Sequence, residues 1–175
     1  MRLAPSDLLA IFVGATVVDA AFLALNYAGA LPSRELTRWY TSLGPSAMAM
    51  DILVIGLATA IGVYVARALF ASPNLWQAAL CVVGVQMVHD VLFALLFQTA
   101  PRGVFIFDVF KKYAAEVGAH ALWADALMVV GTLLLAEGVA RLPRPVQQGA
   151  LLASVYVALY ALYAKRPDAL GTPLN

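Results

Sequence analysis

The sequence predicts an all-α, polytopic transmembrane helix bundle, and three observations carry that prediction. The chain of 175 residues is 63% hydrophobic and only 12% charged, with a mean hydropathy of +0.85. Soluble domains carry about 25% charged residues. Five stretches reach the roughly 20 apolar residues that a membrane crossing needs: about 7–30, 46–69, 75–98, 119–140 and 146–164. Each stretch is bounded by helix breakers or caps. Because lipid offers backbone groups no hydrogen bonds, helices or closed barrels are the workable spanning structures, and runs of this length are helical ones.

The first span opens after Pro5-Ser6-Asp7 and closes near Ala28-Gly29-Ala30. Arg2, the apolar run and those small residues mimic a secretory signal, but the run is too long for one and holds Asp19, so the helix is expected to be retained. Gly44-Pro45 opens the second span, Ser72-Pro73-Asn74 precedes the third, and Pro143 and Pro145 separate the fourth from the fifth.

Two connectors break the pattern. Over Val104–Val117, a step of about 100° per residue sets Ile106, Val109, Phe110, Tyr113 and Val117 on one face. Asp108, Lys111, Lys112 and Ala115 share the other, which predicts an amphipathic helix lying in the headgroup region before span four. Arg34 to Gly44 reads as a shorter version of it.

The layout repeats. Gly44, Asp51 and Arg67 stand 74 residues before Gly118, Asp125 and Arg141, while Asp19 and Asp90 are 71 apart within VVDAAFLAL and VHDVLFALL. A single membrane domain (1–175) is expected: repeat one over about 7–70, repeat two over about 75–142, and an extra helix over about 146–164. The two repeats would be parallel helical hairpins and the extra helix would close the bundle. Lys and Arg flanking the spans number seven on the connector side and four on the other, so the C-terminus and connectors are expected to face the cytoplasm.

Function is read from the acids. Asp19, Asp51, Asp90 and Asp125 each interrupt an apolar run, and helix rise places Asp51 and Asp125 about 8–9 Å, Asp90 about 12 Å and Asp19 about 16 Å from the connector side. An ionised group at mid-membrane costs about 2.5–3.5 kcal/mol on insertion scales. All eleven Lys and Arg lie in connectors or near span ends, so a bound proton, a metal cation, water or hydrogen bonds must neutralise the acids.

The candidate site is therefore Asp19, Asp90, Asp51 and Asp125, supported by His89, Gln86, Thr16, Asn26 and Thr132. The deeper pair, Asp19 and Asp90, is the first place to look. A proton- or cation-dependent transporter or channel is the leading expectation. The first alternative is a scaffold or assembly subunit of a larger membrane complex, its acids serving as packing devices. The second is a metal-dependent membrane-embedded enzyme using His89, Asp90 and His120, although no phosphate loop, nucleophile elbow or HExxH motif supports an enzyme. No organic cofactor is called for.

Partners expected are the lipid bilayer and either a second copy or a larger membrane complex. The stripe Ala58, Gly62 and Ala66 offers a surface for close helix packing. A net charge of +1 gives no reason to expect nucleic acid. Glu116, Lys112, Asp108 and His120 read as a solvated ladder, and Trp39, Trp76 and Trp123, with the tyrosines of span five, as an interfacial aromatic belt.

The runs Val88-His89-Asp90, Pro101-Arg102-Gly103, Phe107-Asp108-Val109-Phe110-Lys111 and Ala124-Asp125-Ala126-Leu127-Met128 carry a resemblance. From about Val18 to Arg141 the chain resembles small, uncharacterised polytopic membrane proteins of bacteria and large algal viruses. That resemblance implies no activity.

Overall fold

A computed structural model describes residues 1–164, and these form seven α-helices: α1 (Leu8–Tyr27), α2 (Arg34–Leu43), α3 (Pro45–Leu69), α4 (Leu75–Thr99), α5 (Phe105–Val117), α6 (His120–Val139) and α7 (Arg144–Tyr163). Among the described residues α1, α3, α4, α6 and α7 are long and apolar enough to cross a membrane, as a multi-pass integral membrane protein requires. Lys165 and Arg166, which weigh in the charge count, lie outside the described residues.

Local signals explain the boundaries. Asn74 accepts the Gln77 amide while the Gln77 side chain accepts the Asn74 amide, both at 2.9 Å, a reciprocal cap that starts α4. The Ser33 hydroxyl caps α2 by accepting the Leu36 amide at 3.1 Å. Gly44 and Gly118 end α2 and α5 at φ 57 with ψ −129 and −136, a left-handed backbone that residues with a Cβ rarely adopt. Each lets a short helix turn abruptly into a long one.

The spans pack with α1 against α6, α3 and α7, and α4 against α3 and α6, while α2 and α5 lie against each other. One core layer joins Leu3, Ile11, Ala15, Ile55, Val63, Val82, Val129 and Leu133 from α1, α3, α4, α6 and the N-terminal segment. A second joins Leu23, Tyr27, Trp39, Tyr40, Met48, Val109 and Leu162, on the side of the short helices. Close approach depends on small residues. A Cβ on Gly62 would collide with the Val82 backbone of α4, and Ala58 and Ala66 on the same stripe are buried within the chain.

The end opposite the short helices is tied by the N-terminal segment. Glu137 accepts the Arg2 and Leu3 amides at 2.8–3.0 Å and the Arg141 guanidinium at 3.1 Å. Arg67 donates to the Leu3 carbonyl at 2.7 Å.

Candidate functional site

The short helix α2 is what gives Asp19 its hydrogen bond. Its sequence, RELTRWYTSL, is polar on one side and turns Trp39 and Tyr40 inward on the other, where they are 2% and 4% exposed. Tyr40 donates its hydroxyl to Asp19 Oδ1 at 2.7 Å, and Trp39 donates its indole N–H to Asp51 Oδ2 at 3.1 Å. Asp19 is 0% exposed, and its Oδ2 has no hydrogen-bond partner among the described residues. Burial first, and then the charges of Asp51 and Asp19, push the Tyr40 hydroxyl well above the usual tyrosine value. Tyr40 is therefore a proton-bearing group throughout the physiological range, set between two carboxyls.

The second half of the chain builds a different arrangement from the same acids. Asp90 Oδ1 accepts the Gln86 side-chain amide at 2.7 Å and lies 3.1 Å from His89 Nδ1. Its Oδ2 is buried without a hydrogen bond among the described residues, as is Gln86 Oε1. The charged groups acting on Asp125 are Asp90, Asp51 and His89. Tyr113, half-buried on α5, faces the same set: burial first, then Asp125, Asp51, Glu116 and Asp90, raise its hydroxyl above the usual tyrosine value.

The charge of Asp51 thus acts on Asp19, and those of Asp90 and Asp51 act on Asp125. The deep pair, Asp19 and Asp90, has different charged neighbours. Asp19 has Asp51 as its charged neighbour and Asp90 acts on Asp125, and α1 and α4 are not among the closely packed helix pairs of the described residues. The ion pairs among the described residues give these aspartates one partner, His89 beside Asp90, and no Lys or Arg.

No family model, curated protein or solved structure matches this chain.

Two expected supporting residues are engaged elsewhere. Thr16 donates to the Phe12 carbonyl of its own helix at 2.7 Å. Asn26 donates to Thr37 at 2.9 Å and accepts the Ser33 amide at 2.8 Å, fastening the start of α2. Thr132 is fully buried, and its hydroxyl has no hydrogen bond among the described residues. His120 is exposed, with its ring 3.3 Å from the Val117 carbonyl. Among the described residues no three His, Cys, Asp or Glu side chains are grouped to hold a metal ion.

Glu116 departs most clearly from its expected part in a solvated ladder. It accepts from the Ser33 hydroxyl, the Arg34 amide and the Glu35 amide at 2.9, 2.8 and 3.0 Å, across to the N-terminus of α2. Burial acts to raise its carboxyl, but these bonds and the Arg34 charge outweigh it and hold the group below the usual glutamate value. Trp39 likewise belongs to the interior, whereas Trp76 and Trp123, 72% and 71% exposed, remain on the surface as the belt reading requires.

Sequence reasoning missed Tyr40, Tyr113 and Glu116. One signal for Tyr40 was available: in a helix, Leu36, Trp39, Tyr40 and Leu43 share a face.

Proposed function

We propose that this protein is a multi-pass membrane protein that moves protons through its intramembrane aspartates. The observation that carries the reading is the Asp19–Tyr40–Asp51 group. A hydroxyl that donates to one carboxyl and neighbours a second can pass a proton between them, and the Asp19 oxygen left without a hydrogen bond is a position for that proton. A small cation shared by carboxyls would use the same acids, and it ranks second because no three of them are grouped around one point among the described residues. Asp51 and Asp125 then link the two halves, and Asp90 with Gln86 and His89 forms the far end.

The same reading takes the chain as two parallel repeats. Exchanging α1 with α4, α2 with α5 and α3 with α6 turns the α1–α6 packing into α4–α3 and the α1–α3 packing into α4–α6, and all four are present. The pairs α2–α5 and α3–α6 map onto themselves. Support also comes from the matching backbone of Gly44 and Gly118. The helix α7 has no counterpart and packs on α1. The connector side, with Arg34, Arg38, Arg102, Lys111 and Lys112, is placed toward the cytoplasm.

The test is proton flux in liposomes under an imposed pH gradient, comparing the wild type with Asp19→Asn and Asp90→Asn. We expect flux in the wild type and its loss in Asp19→Asn. Unchanged flux in both variants, or no flux in the wild type, would sink the proposal.

One observation favours a second reading, in which the protein is a scaffold within a larger membrane complex. Trp39 and Tyr40 dock α2 onto the spans by donating to Asp51 and Asp19, so the acids also act as fasteners. A fastener tolerates Asp→Asn, since the amide oxygen still accepts, and fails on Asp→Leu.

A further inference from the structure

We propose that a groove between the end of α4 and α5 binds the headgroup of an anionic glycerophospholipid. The groove encloses about 420 Å³ and is lined by Ala94, Phe97, Gln98, Ala100, Arg102, Lys111 and Ala114. Its two cations carry the argument. None of the ion pairs among the described residues uses Arg102 or Lys111. Asp108, the nearest acid in sequence, is turned to the Gly103 amide at 3.0 Å. Lys111 donates one hydrogen bond to the Ala100 carbonyl at 2.6 Å, which leaves two of its three N–H groups and fixes the ammonium at the groove. A guanidinium beside a fixed ammonium is a phosphate-binding pair.

The rest of the lining selects a lipid over a free anion. Phe97 is held rigidly, with its ring stacked on Phe110 at 5.0 Å and edge-on to Phe93 at 4.2 Å, so Phe97, Ala94 and Ala114 present a firm apolar wall. Beside it Leu95 and Leu96 are 53% and 50% exposed, a surface for an acyl chain. Gln98 offers both a donor and an acceptor to a polar headgroup. A choline headgroup would bring its own cation against Arg102 and Lys111, so the phosphate must come without one. Basic pockets at helix ends on the cytoplasmic side take anionic headgroups for this reason. The site requires that the long helices span the bilayer. It does not require that the protein conduct protons.

Native mass spectrometry of the full-length protein in detergent, offered equal amounts of phosphatidylglycerol and phosphatidylcholine, tests the proposal. Phosphatidylglycerol should be retained preferentially. Each charge is worth about a fivefold change in binding, so Arg102→Gln should weaken retention about fivefold and Arg102→Gln with Lys111→Gln roughly thirtyfold. Arg144→Gln, at the opposite end of the bundle, should leave it unchanged. No hydrogen bond or ion pair among the described residues uses the Arg102 side chain, so its single variant decides the matter even if the double variant loosens α5. The proposal is overturned if phosphatidylcholine is retained equally, if Arg102→Gln has no effect, if Arg144→Gln has the same effect, or if inorganic phosphate displaces the lipid.

Discussion

Replacing Tyr40 by Phe removes one oxygen from the middle of the candidate site and little else. The ring remains between α1 and α3, so the packing term should be near zero, and the loss is that of the hydroxyl. That hydroxyl supplies the Asp19 carboxyl with its 2.7 Å hydrogen bond, and Asp19 is 0% exposed. Water does not reach Asp19 to replace the bond. Hydrogen bonds to charged groups contribute about 1.5–3 kcal/mol in soluble proteins, whereas bonds between membrane helices average about 0.6 and reach about 1.7 kcal/mol. The complete burial of Asp19 places Tyr40 at the top of the membrane range, so Tyr40→Phe should cost about 1.5 kcal/mol. The assay is reversible unfolding in mixed micelles, run as a double-mutant cycle with Asp19→Leu. A coupling energy of at least about 1 kcal/mol is expected because each partner serves the other. Additive effects, with a coupling below about 0.3 kcal/mol, would refute the contact and with it the proton path through Tyr40.

Two further perturbations follow from the packing and the connector. Gly62→Ala sets a methyl group against the Val82 backbone, which cannot swing aside, and should cost about 3 kcal/mol by the same unfolding assay. Gly84→Ala, with nothing within 4 Å of the added carbon, should be neutral or stabilising by up to about 1 kcal/mol, and equal costs at the two sites would refute the close α3–α4 approach. The docking of α2 on α5 should be acid-sensitive. Glu116 titrates below its ordinary value in the folded protein, so its contribution is fully present above about pH 4.5, the ordinary value, and is lost as the pH falls through the lowered one. Hydrogen exchange at the Arg34 and Glu35 amides should accelerate over that interval in the wild type, and should be fast and nearly pH-independent, beyond intrinsic exchange, in Glu116→Gln.

Much of the fold was legible because membrane spans are written locally. The third run, expected at 75–98, is the helix Leu75–Thr99, and the amphipathic run at 104–117 is Phe105–Val117 with Val109 at its buried centre. Breakers such as Gly44-Pro45 act on their neighbours, so periodicity and caps suffice. The pairing of the acids was not legible, because depth along a helix says nothing about which helices touch. Asp19 and Asp90 were the two deeper candidates, yet α1 and α4 are not among the closely packed helix pairs of the described residues. Trp39 and Tyr40 were hidden for another reason: aromatic residues beside a span normally belong to the interface, and only the docking of α2 turns these two inward. Glu116 lies 82 residues from the amide it caps, and an i,i+4 pattern with Lys112 offered a nearer explanation.

That long reach from Glu116 bears on how the protein is made. When α2 leaves the ribosome, the carboxylate that accepts its Arg34 and Glu35 amides has not yet been synthesised, and at 5–20 residues per second a separation of 82 residues takes roughly 4–16 s. Through that interval α2 has only the contacts of the first half: the Ser33 cap, the Asn26 bonds, and the bonds of Tyr40 and Trp39 to Asp19 and Asp51. The last bonds to the start of α2 are therefore made late, when the second half supplies Glu116. A chain interrupted before residue 116 would leave the Ser33 hydroxyl and the Arg34 and Glu35 amides without the acceptor they have in the finished protein.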